Sequence, residues 1–461
     1  MILSYKEVGA AEYAERVRGL IADEKKYYFV YTFGCQQNEA DSEKIRAMAE
    51  EMGYLPSSEP TDCDLVIVNT CAIRAHAEMK VLSLLGSFRA VKKKNPDFIL
   101  GVVGCMPAQS SVAKKLKEDF HYVSFTAEPN MLYRIPELVY NYITERRRAF
   151  VFGEDKGDIV EDMSSVRQSG HRAWVSIMYG CNNFCTYCIV PYVRGRERSR
   201  QSEDIISECR ELIQSGAREI TLLGQNVNSY KSDKDFSELI SAIAEIDGDF
   251  LIRFMTSHPK DTSDKLISAM AKYKDKIAPY FHLPLQSGSD AVLKKMNRTY
   301  TRERFMSIVE RLRENIPSIC LSTDIIVGFP GESDEDFEDT LDILRRAEID
   351  SAYAFIYSPR EGTPAARMQD QIPDDVKSER IKRLFALQDG ISYNKNLPYL
   401  DGEYRVLVDS CEERDGNIVY TGRTATNKLV HFTAESAVIG EFTKVKITKT
   451  GGFDLIGVET K

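Results

Sequence analysis

Leu65-Val66-Ile67-Val68-Asn69-Thr70-Cys71 is an apolar, β-branched run that ends on a cysteine, and the same pattern occurs on either side of it. Upstream, Tyr28-Phe29-Val30-Tyr31-Thr32-Phe33-Gly34 leads to Cys35; downstream, Ile99-Leu100-Gly101-Val102-Val103-Gly104 leads to Cys105. Continuous apolar runs of this length read as strands buried on both faces of a parallel sheet. Helical patterns fill the intervals between them, so the region reads as three βα units, each with one cysteine in the same place. In an open α/β sheet the loops beyond the carboxyl ends of the strands build the ligand crevice, which would gather the three sulfurs at one edge. One cysteine there would merely fill the end of a core strand. Three at equivalent positions, two of them after glycine, point to a three-thiolate metal site.

A second set is tighter. In Tyr179-Gly180-Cys181-Asn182-Asn183-Phe184-Cys185-Thr186-Tyr187-Cys188, three thiols are spaced to converge on one cluster. A 4Fe–4S cluster normally takes four cysteines, so a triad implies one iron open to a small molecule. Zinc would need a fourth Cys or His at comparable spacing, and neither His171 nor Cys209 supplies it. The strand-like run Ala173 to Met178 leads into this triad. Five more follow with amphipathic helices between them: Glu219 to Leu223, Leu251 to Thr256, Tyr280 to Leu285, Cys320 to Val327 and Tyr353 to Tyr357. Alternating strands and helices imply a parallel sheet, and six units without a seventh suggest a partial (β/α)6 barrel with its site at the strands' carboxyl ends.

Gly153 to Gly170 has no sustained apolar period and reads as a linker, as does Tyr393 to Gly402. Beyond the second, Tyr404, Val406 and Val408 alternate with other residues, Arg414-Asp415-Gly416-Asn417 reads as a hairpin turn, and Lys444 to Thr448 alternates again. That pattern makes a small all-β barrel. The expected fold is α/β: an open parallel-sheet, Rossmann-like domain over 24–152, a partial barrel over 167–393 and an OB-like barrel over 396–461.

With both triads in view the chain resembles the methylthiotransferases, a family of radical S-adenosylmethionine enzymes, over nearly its whole length. Gly-Cys-Gln-Gln-Asn-Glu-Ala-Asp-Ser (34–42), Asn-Thr-Cys-Ala-Ile-Arg (69–74) and Cys-Ile-Val-Pro-Tyr-Val-Arg-Gly (188–195) look most like the tRNA-modifying branch, which usually has Met where this chain has Gln37. The Pro-Lys and Lys-Val pairs expected after the first cysteine in the ribosomal-protein and threonylcarbamoyl-adenosine branches are absent. The resemblance implies two 4Fe–4S clusters, an auxiliary one on Cys35, Cys71 and Cys105 and a radical-generating one on Cys181, Cys185 and Cys188. S-adenosylmethionine would chelate the open iron and yield a 5'-deoxyadenosyl radical on reduction. Such chemistry belongs to the cofactor. Gln225 and Asn226 should then face the methionine end, Asp324 and Ile326 the ribose and adenine, and Tyr187 the adenine. The C-terminal barrel resembles a TRAM domain on Gly422-Arg423-Thr424-Ala425-Thr426-Asn427.

The implied activity adds a methylthio group to an N6-prenylated adenosine beside a tRNA anticodon, with an electron donor such as a flavodoxin or ferredoxin. The rival substrates are threonylcarbamoyl-adenosine tRNA or a ribosomal protein side chain. A different class is a non-catalytic two-cluster RNA-binding or electron-transfer protein, which four cysteines per cluster would favour over three.

Charge constrains how RNA binds. The chain has 461 residues and a formal charge of −9; from Leu397 onward eight Lys and Arg face ten Asp and Glu. Phosphate contacts supply much of an RNA enzyme's affinity, so positive charge must be concentrated locally. Arg194, Arg196, Arg198 and Arg200 alternate beyond the cluster loop and would share one face of an extended segment. Lys294, Lys295 and Arg298 form a second candidate patch, and Arg423, Lys428 and His431 a third. Lys92 to Lys94 and Arg146 to Arg148 read as exposed helix ends. No apolar stretch reaches the roughly twenty residues of a membrane span, and no hydrophobic leader opens the chain, so a cytoplasmic monomer is expected. Its ten cysteines would then be reduced, with Cys63, Cys209, Cys320 and Cys411 serving as packing residues.

Overall fold

The computed structural model describes residues 2–72, 75–151, 153, 158–414 and 416–460, without the side chains of 75–77. Ile73, Arg74, Glu154 to Gly157 and Asp415, which fall within the motif, linker and hairpin readings above, lie outside the described residues, as does Phe152 at the end of the first expected domain. The chain divides into two compact units, one of Met1–Gln168, Met178–Asn182 and Cys188–Arg200, the other of Ser169–Ile177, Asn183–Tyr187 and Gln201–Lys461. The cluster loop therefore contributes to both: Cys181 and Cys188 belong to the first unit and Cys185 to the second.

The first unit is a six-stranded parallel sheet. Its strands are β1 (Tyr27–Thr32), β2 (Leu55–Pro56), β3 (Leu65–Thr70), β4 (Ile99–Gly104), β5 (Phe125–Ala127) and β6 (Ala149–Val151), in the order β2-β1-β3-β4-β5-β6. β3 and β4 are buried at every position, which is why their sequences do not alternate. The three cysteine-bearing strands are neighbours at the centre. Apolar clusters cover both faces, one holding Ile67 and Val103, the other Val66, Val68 and Val102. The stretch read as a linker is docked where it is described: Ile159–Glu161 pairs in parallel with Ile2–Ser4, and Arg167 forms an ion pair with Glu43 at 3.2 Å.

In the second unit, β7 (Arg172–Ser176), β10 (Glu219–Leu223) and β11 (Leu251–Phe254) form one parallel triplet, and β12 (Tyr280–His282), β13 (Cys320–Val327) and β14 (Ser351–Ile356) another. A parallel bridge from Ile252 to Ile277 joins them, giving the six-stranded partial barrel in sequence order. A short hairpin, β8 (Met178–Tyr179) with β9 (Arg198–Ser199), belongs to the first unit and brackets the cluster loop.

The C-terminal strands β15 (Glu403–Arg414), β16 (Asn417–Thr424), β17 (Leu429–Thr433), β18 (Phe442–Thr450) and β19 (Asp454–Thr460) close into a barrel ordered β15-β16-β17-β19-β18, matching a five-stranded OB-type barrel. Tyr393 to Asn396, read as the start of a linker, instead ends a 23-residue helix, Asp374–Asn396. Its buried face is largely polar: Gln388 donates to the Ile349 carbonyl and Ser392 to the Asp350 carbonyl, so no apolar stripe marks it.

Candidate metal centres and active site

Strand register places the first triad. Thr70 pairs with Gly104, so Cys71 and Cys105 each follow a matched position, whereas Thr32 pairs with Asn69, which sets Gly34 beside Cys71 and Cys35 one residue further on. The glycine is required there, because a Cβ at position 34 would lie 2.9 Å from the Cys71 Cβ and 2.5 Å from Asn38 Oδ1. Gly104 has φ 95° and leaves no space either, its Cβ position lying 2.4 Å from the Thr70 carbonyl. Asn38 Nδ2 donates to Asn69 Oδ1 and to the Thr70 carbonyl, and Asn69 Nδ2 donates to Ser42. These buried amides lock two of the cysteine loops together. Sequence reading missed them, although both lie inside the quoted motifs.

Arg194 is the largest departure from expectation. The stretch after Cys188 is not extended: Val190–Val193 is a helical turn, and Arg194 points inward. It is 4% exposed, donates from Nε to Cys105 Sγ at 3.2 Å and forms an ion pair with Asp41 at 3.0 Å. Gln37 Nε2 donates to the other oxygen of that carboxylate at 3.1 Å. Burial pushes the Cys105 thiol up, with Arg194 pulling the other way. Arg200 is buried against Glu161, and Arg198 donates to the Arg194 and Asp158 carbonyls. Only Arg196 of the four is exposed, so the row has no common outward face. Upstream, Gly180 has φ 77°, and a Cβ there would meet the Arg196 carbonyl at 2.1 Å. Cys181 N donates to the Gly195 carbonyl at 3.1 Å.

In the second unit, Asn297 donates to the carbonyls of Asn183 and Phe184, Thr186 N to that of Met296 and Ala365 N to that of Thr186. Phe184 adopts φ 46°, a conformation non-glycine residues rarely take. Arg298, read as part of a surface patch, is buried: it donates to Cys185 Sγ at 3.5 Å, to the Tyr300 hydroxyl at 3.0 Å and to the Pro284 carbonyl at 2.9 Å. Burial opposes its charge, but Tyr300, Tyr187 and Cys185 outweigh it and hold its pKa above the usual value. His258, beside it, is held far below the usual histidine range, chiefly by burial and then by Arg298. Lys294 and Lys295 remain exposed.

Among the residues expected at the cofactor, Tyr187 and Ile326 meet in one apolar cluster with Met296, Phe329 and Tyr357, the Tyr187 and Phe329 rings lying edge-on at 6.5 Å. Asp324 is half-buried, with Oδ2 3.3 Å from His282 Nε2. Gln225 is half-buried. Asn226 is buried, donates to Asp261 at 2.8 Å and leaves Oδ1 buried without a partner. After β13, the Glu332 carboxylate accepts from the Gly328 amide and from Arg380, both at 2.8 Å. Burial nevertheless raises its pKa to about 7.

The expected RNA patch on the C-terminal barrel is largely occupied. Lys428 is buried and ion-paired with Asp350 at 3.1 Å. Arg253, paired with Glu219, donates to the Thr424 and Ala425 carbonyls at 2.8 Å each. Arg423 is half-buried and His431 partly so. The Gly422–Lys428 segment thus fastens the small barrel to the larger one.

Known proteins match in a consistent way. The Radical SAM superfamily matches residues 175–344, and the family described as Uncharacterized protein family UPF0004 matches residues 27–127. The tRNA-2-methylthio-N(6)-dimethylallyladenosine synthase of Carboxydothermus hydrogenoformans is 48% identical over 94% of this chain and 99% of its own length. That of Alkaliphilus oremlandii is 49% identical over 94% and 92%, and that of Thermoanaerobacter sp. 46% over 96% and 95%. The chain belongs to the methylthiotransferase family of radical S-adenosylmethionine enzymes. Among solved structures, the radical S-adenosylmethionine methyltransferase TsrM from Kitasatospora setae shares the fold, with a TM-score of 0.53 at 14% identity over 74% of this chain and 75% of that one.

S-adenosylmethionine and two 4Fe–4S clusters are the cofactors implied for this methylthiotransferase. Among the described residues, no group of three or more His, Cys, Asp or Glu side chains is arranged to hold a bare metal ion. The donors fit clusters instead. Each triad offers only thiols, which suits iron–sulfur ligation. One sulfur in each unit accepts from a buried guanidinium.

Proposed function

We propose that this methylthiotransferase converts an N6-prenylated adenosine beside the tRNA anticodon to its 2-methylthio derivative. The observation that carries the reading is the pair of cysteine triads in a chain 46–49% identical, over nearly its whole length, to tRNA-2-methylthio-N(6)-dimethylallyladenosine synthases. When bound, the cofactors supply the inserted sulfur, its methyl group and the radical that removes hydrogen from carbon 2. The chain's own residues hold and shield them. Cys181, Cys185 and Cys188 would ligate the cluster that S-adenosylmethionine completes, and Cys35, Cys71 and Cys105 the auxiliary cluster. Tyr187 and Ile326 would form the apolar wall for the adenine, Asp324 would accept from the ribose hydroxyls, and Gln225 with the unpartnered Asn226 Oδ1 would receive the methionine end. A flipped base needs enclosure from water during such chemistry.

On the surface, the exposed Arg196, Lys294 and Lys295 and the half-buried Arg423 remain candidates for phosphate contact. Lys428, Arg194 and Arg298 act inside. A flavodoxin or ferredoxin would deliver the electron to a cytoplasmic, monomeric enzyme. No helix among the described residues is long and apolar enough to cross a membrane. The test is mass spectrometry of nucleosides from tRNA of cells with and without the gene. Loss of the 2-methylthio prenyl-adenosine, with accumulation of the unthiolated nucleoside, is expected. An unchanged profile would overturn the reading.

A further inference from the structure

Each triad has one cysteine on which an arginine is buried, but the two arginines differ in compensation. Arg194 reaches Cys105 as part of a neutralised relay, in which Asp41 takes its charge and Gln37 supports Asp41. Arg298 reaches Cys185 with only neutral companions, the Tyr300 hydroxyl and the Pro284 carbonyl, and no carboxylate pairs with it among the described residues. His258, which faces it, is uncharged at neutral pH, its pKa lowered to about 2.

We propose that Arg298 and the Arg194–Asp41 pair are positioning residues that set the reduction order of the two clusters, directing the first electron to the cluster on Cys181, Cys185 and Cys188. The inference rests on the two-cluster reading above. One-electron reduction, by a donor of the flavodoxin or ferredoxin class that is itself oxidised by one electron, adds one unit of negative charge to a cluster and its sulfurs. Hydrogen bonds to ligand sulfur, net charge and burial set that equilibrium. An unpaired buried guanidinium favours the added charge, whereas one neutralised by a carboxylate contributes mainly its hydrogen bond, since nearby opposite charges offset each other. The protein thus raises the potential of the cluster that must be reduced for S-adenosylmethionine cleavage. The auxiliary cluster, whose sulfur is needed, is left harder to reduce.

The test is potentiometric titration followed by electron paramagnetic resonance, one cluster at a time. Protein with Cys35, Cys71 and Cys105 all changed to Ala retains only the barrel triad; protein with Cys181, Cys185 and Cys188 changed to Ala retains only the auxiliary one. Arg298→Gln is expected to move the barrel cluster to more negative potential. Arg194→Gln, which leaves Asp41 without its partner, should move the auxiliary cluster to more negative potential, and Asp41→Asn should move it to more positive potential; the double variant, which removes both charges, should move it less than Arg298→Gln moves the barrel cluster. Arg298→Lys and Arg194→Lys, which keep the charge, should recover most of each shift.

Unchanged potentials at full iron content would overturn the proposal, as would a negative shift for Asp41→Asn. So would loss of iron in both the Gln and the Lys variants, which would make the arginines purely structural. Failure of the two-cluster reading is distinguishable, because the parent protein would then hold about four irons per chain or fewer.

Discussion

Changing Asp350 to Ala strips the partner from a buried lysine, and the environment of that lysine sets the expected cost. Lys428 and Asp350 have side chains 9% and 10% exposed, so solvent screening is slight. Asp350 also accepts from the Leu321 amide at 2.9 Å and faces the Cys320 thiol, whose pKa is pushed up to about 11 by burial and then by this carboxylate. Breaking a buried pair by removing one partner costs about 3–5 kcal/mol, because the other charge stays buried. Asp350→Ala should reach the upper part of that range, since the Leu321 amide is orphaned as well at about 1–3 kcal/mol. Lys428→Met should fall at the lower end, as Asp350 keeps its remaining donors. The double variant should cost less than the sum, with a coupling of about 1–3 kcal/mol. Trp174, the chain's one tryptophan, sits on β7 of the same unit, so its fluorescence during urea unfolding reads the transition. Single variants that each cost under about 1 kcal/mol and add without coupling would show a solvated, weakly contributing pair. The view of the Gly422–Lys428 segment as a fastening would then fail.

Glu332 provides a pH signature. Its pKa rises from the ordinary 4.5 to about 7 on folding, so between those values the folded chain binds more protons than the unfolded one. Stability from this group is therefore full below about pH 4.5 and is lost as pH rises through about 7. Glu332→Gln should flatten the pH dependence of the urea midpoint, removing a slope worth on the order of 2–3 kcal/mol across that range; identical profiles for parent and variant would count against it. Gly180→Ala should cost at least about 1–2 kcal/mol for the left-handed backbone alone, with the clash against the Arg196 carbonyl added. Its expected phenotype is an iron content about half the parent's and no 5'-deoxyadenosine, and full iron with normal cleavage would exclude it. The parent, reconstituted without oxygen, should hold about eight irons per chain, and about four when Cys181, Cys185 and Cys188 are Ala, as read by iron analysis and absorbance.

What could be read in the sequence followed from periodicity and position. Six continuous apolar runs set the barrel strands in order, and three cysteines after equivalent strands landed on three adjacent strands, because sheet topology fixes where strand ends go. Charge was the poorer guide. Alternation placed Arg194 to Arg200 on one face only under the premise of an extended chain, and Pro191 instead starts a helical turn that buries Arg194. Nothing in Lys428 or Arg298 distinguishes a solvated cation from a buried one, since the partners that decide it, Asp350 and Cys185, lie 78 and 113 residues away. The end of the long helix was hidden for a related reason. Its inward side carries Gln388, Ser392 and Asn396, which bury themselves by meeting backbone carbonyls rather than apolar surface.

The central strands of the first sheet act as a ruler. Because Cys71 and Cys105 follow a paired Thr70 and Gly104, their spacing is measured by the rungs between adjacent strands, about 4.8 Å apart, rather than by the segments that connect them. Insertions in the helices between these strands should leave the ruler intact, while a one-residue slip within a strand would turn its side chains to the opposite face. Natural variation in length can therefore accumulate between the cysteines without moving the strand ends that carry them.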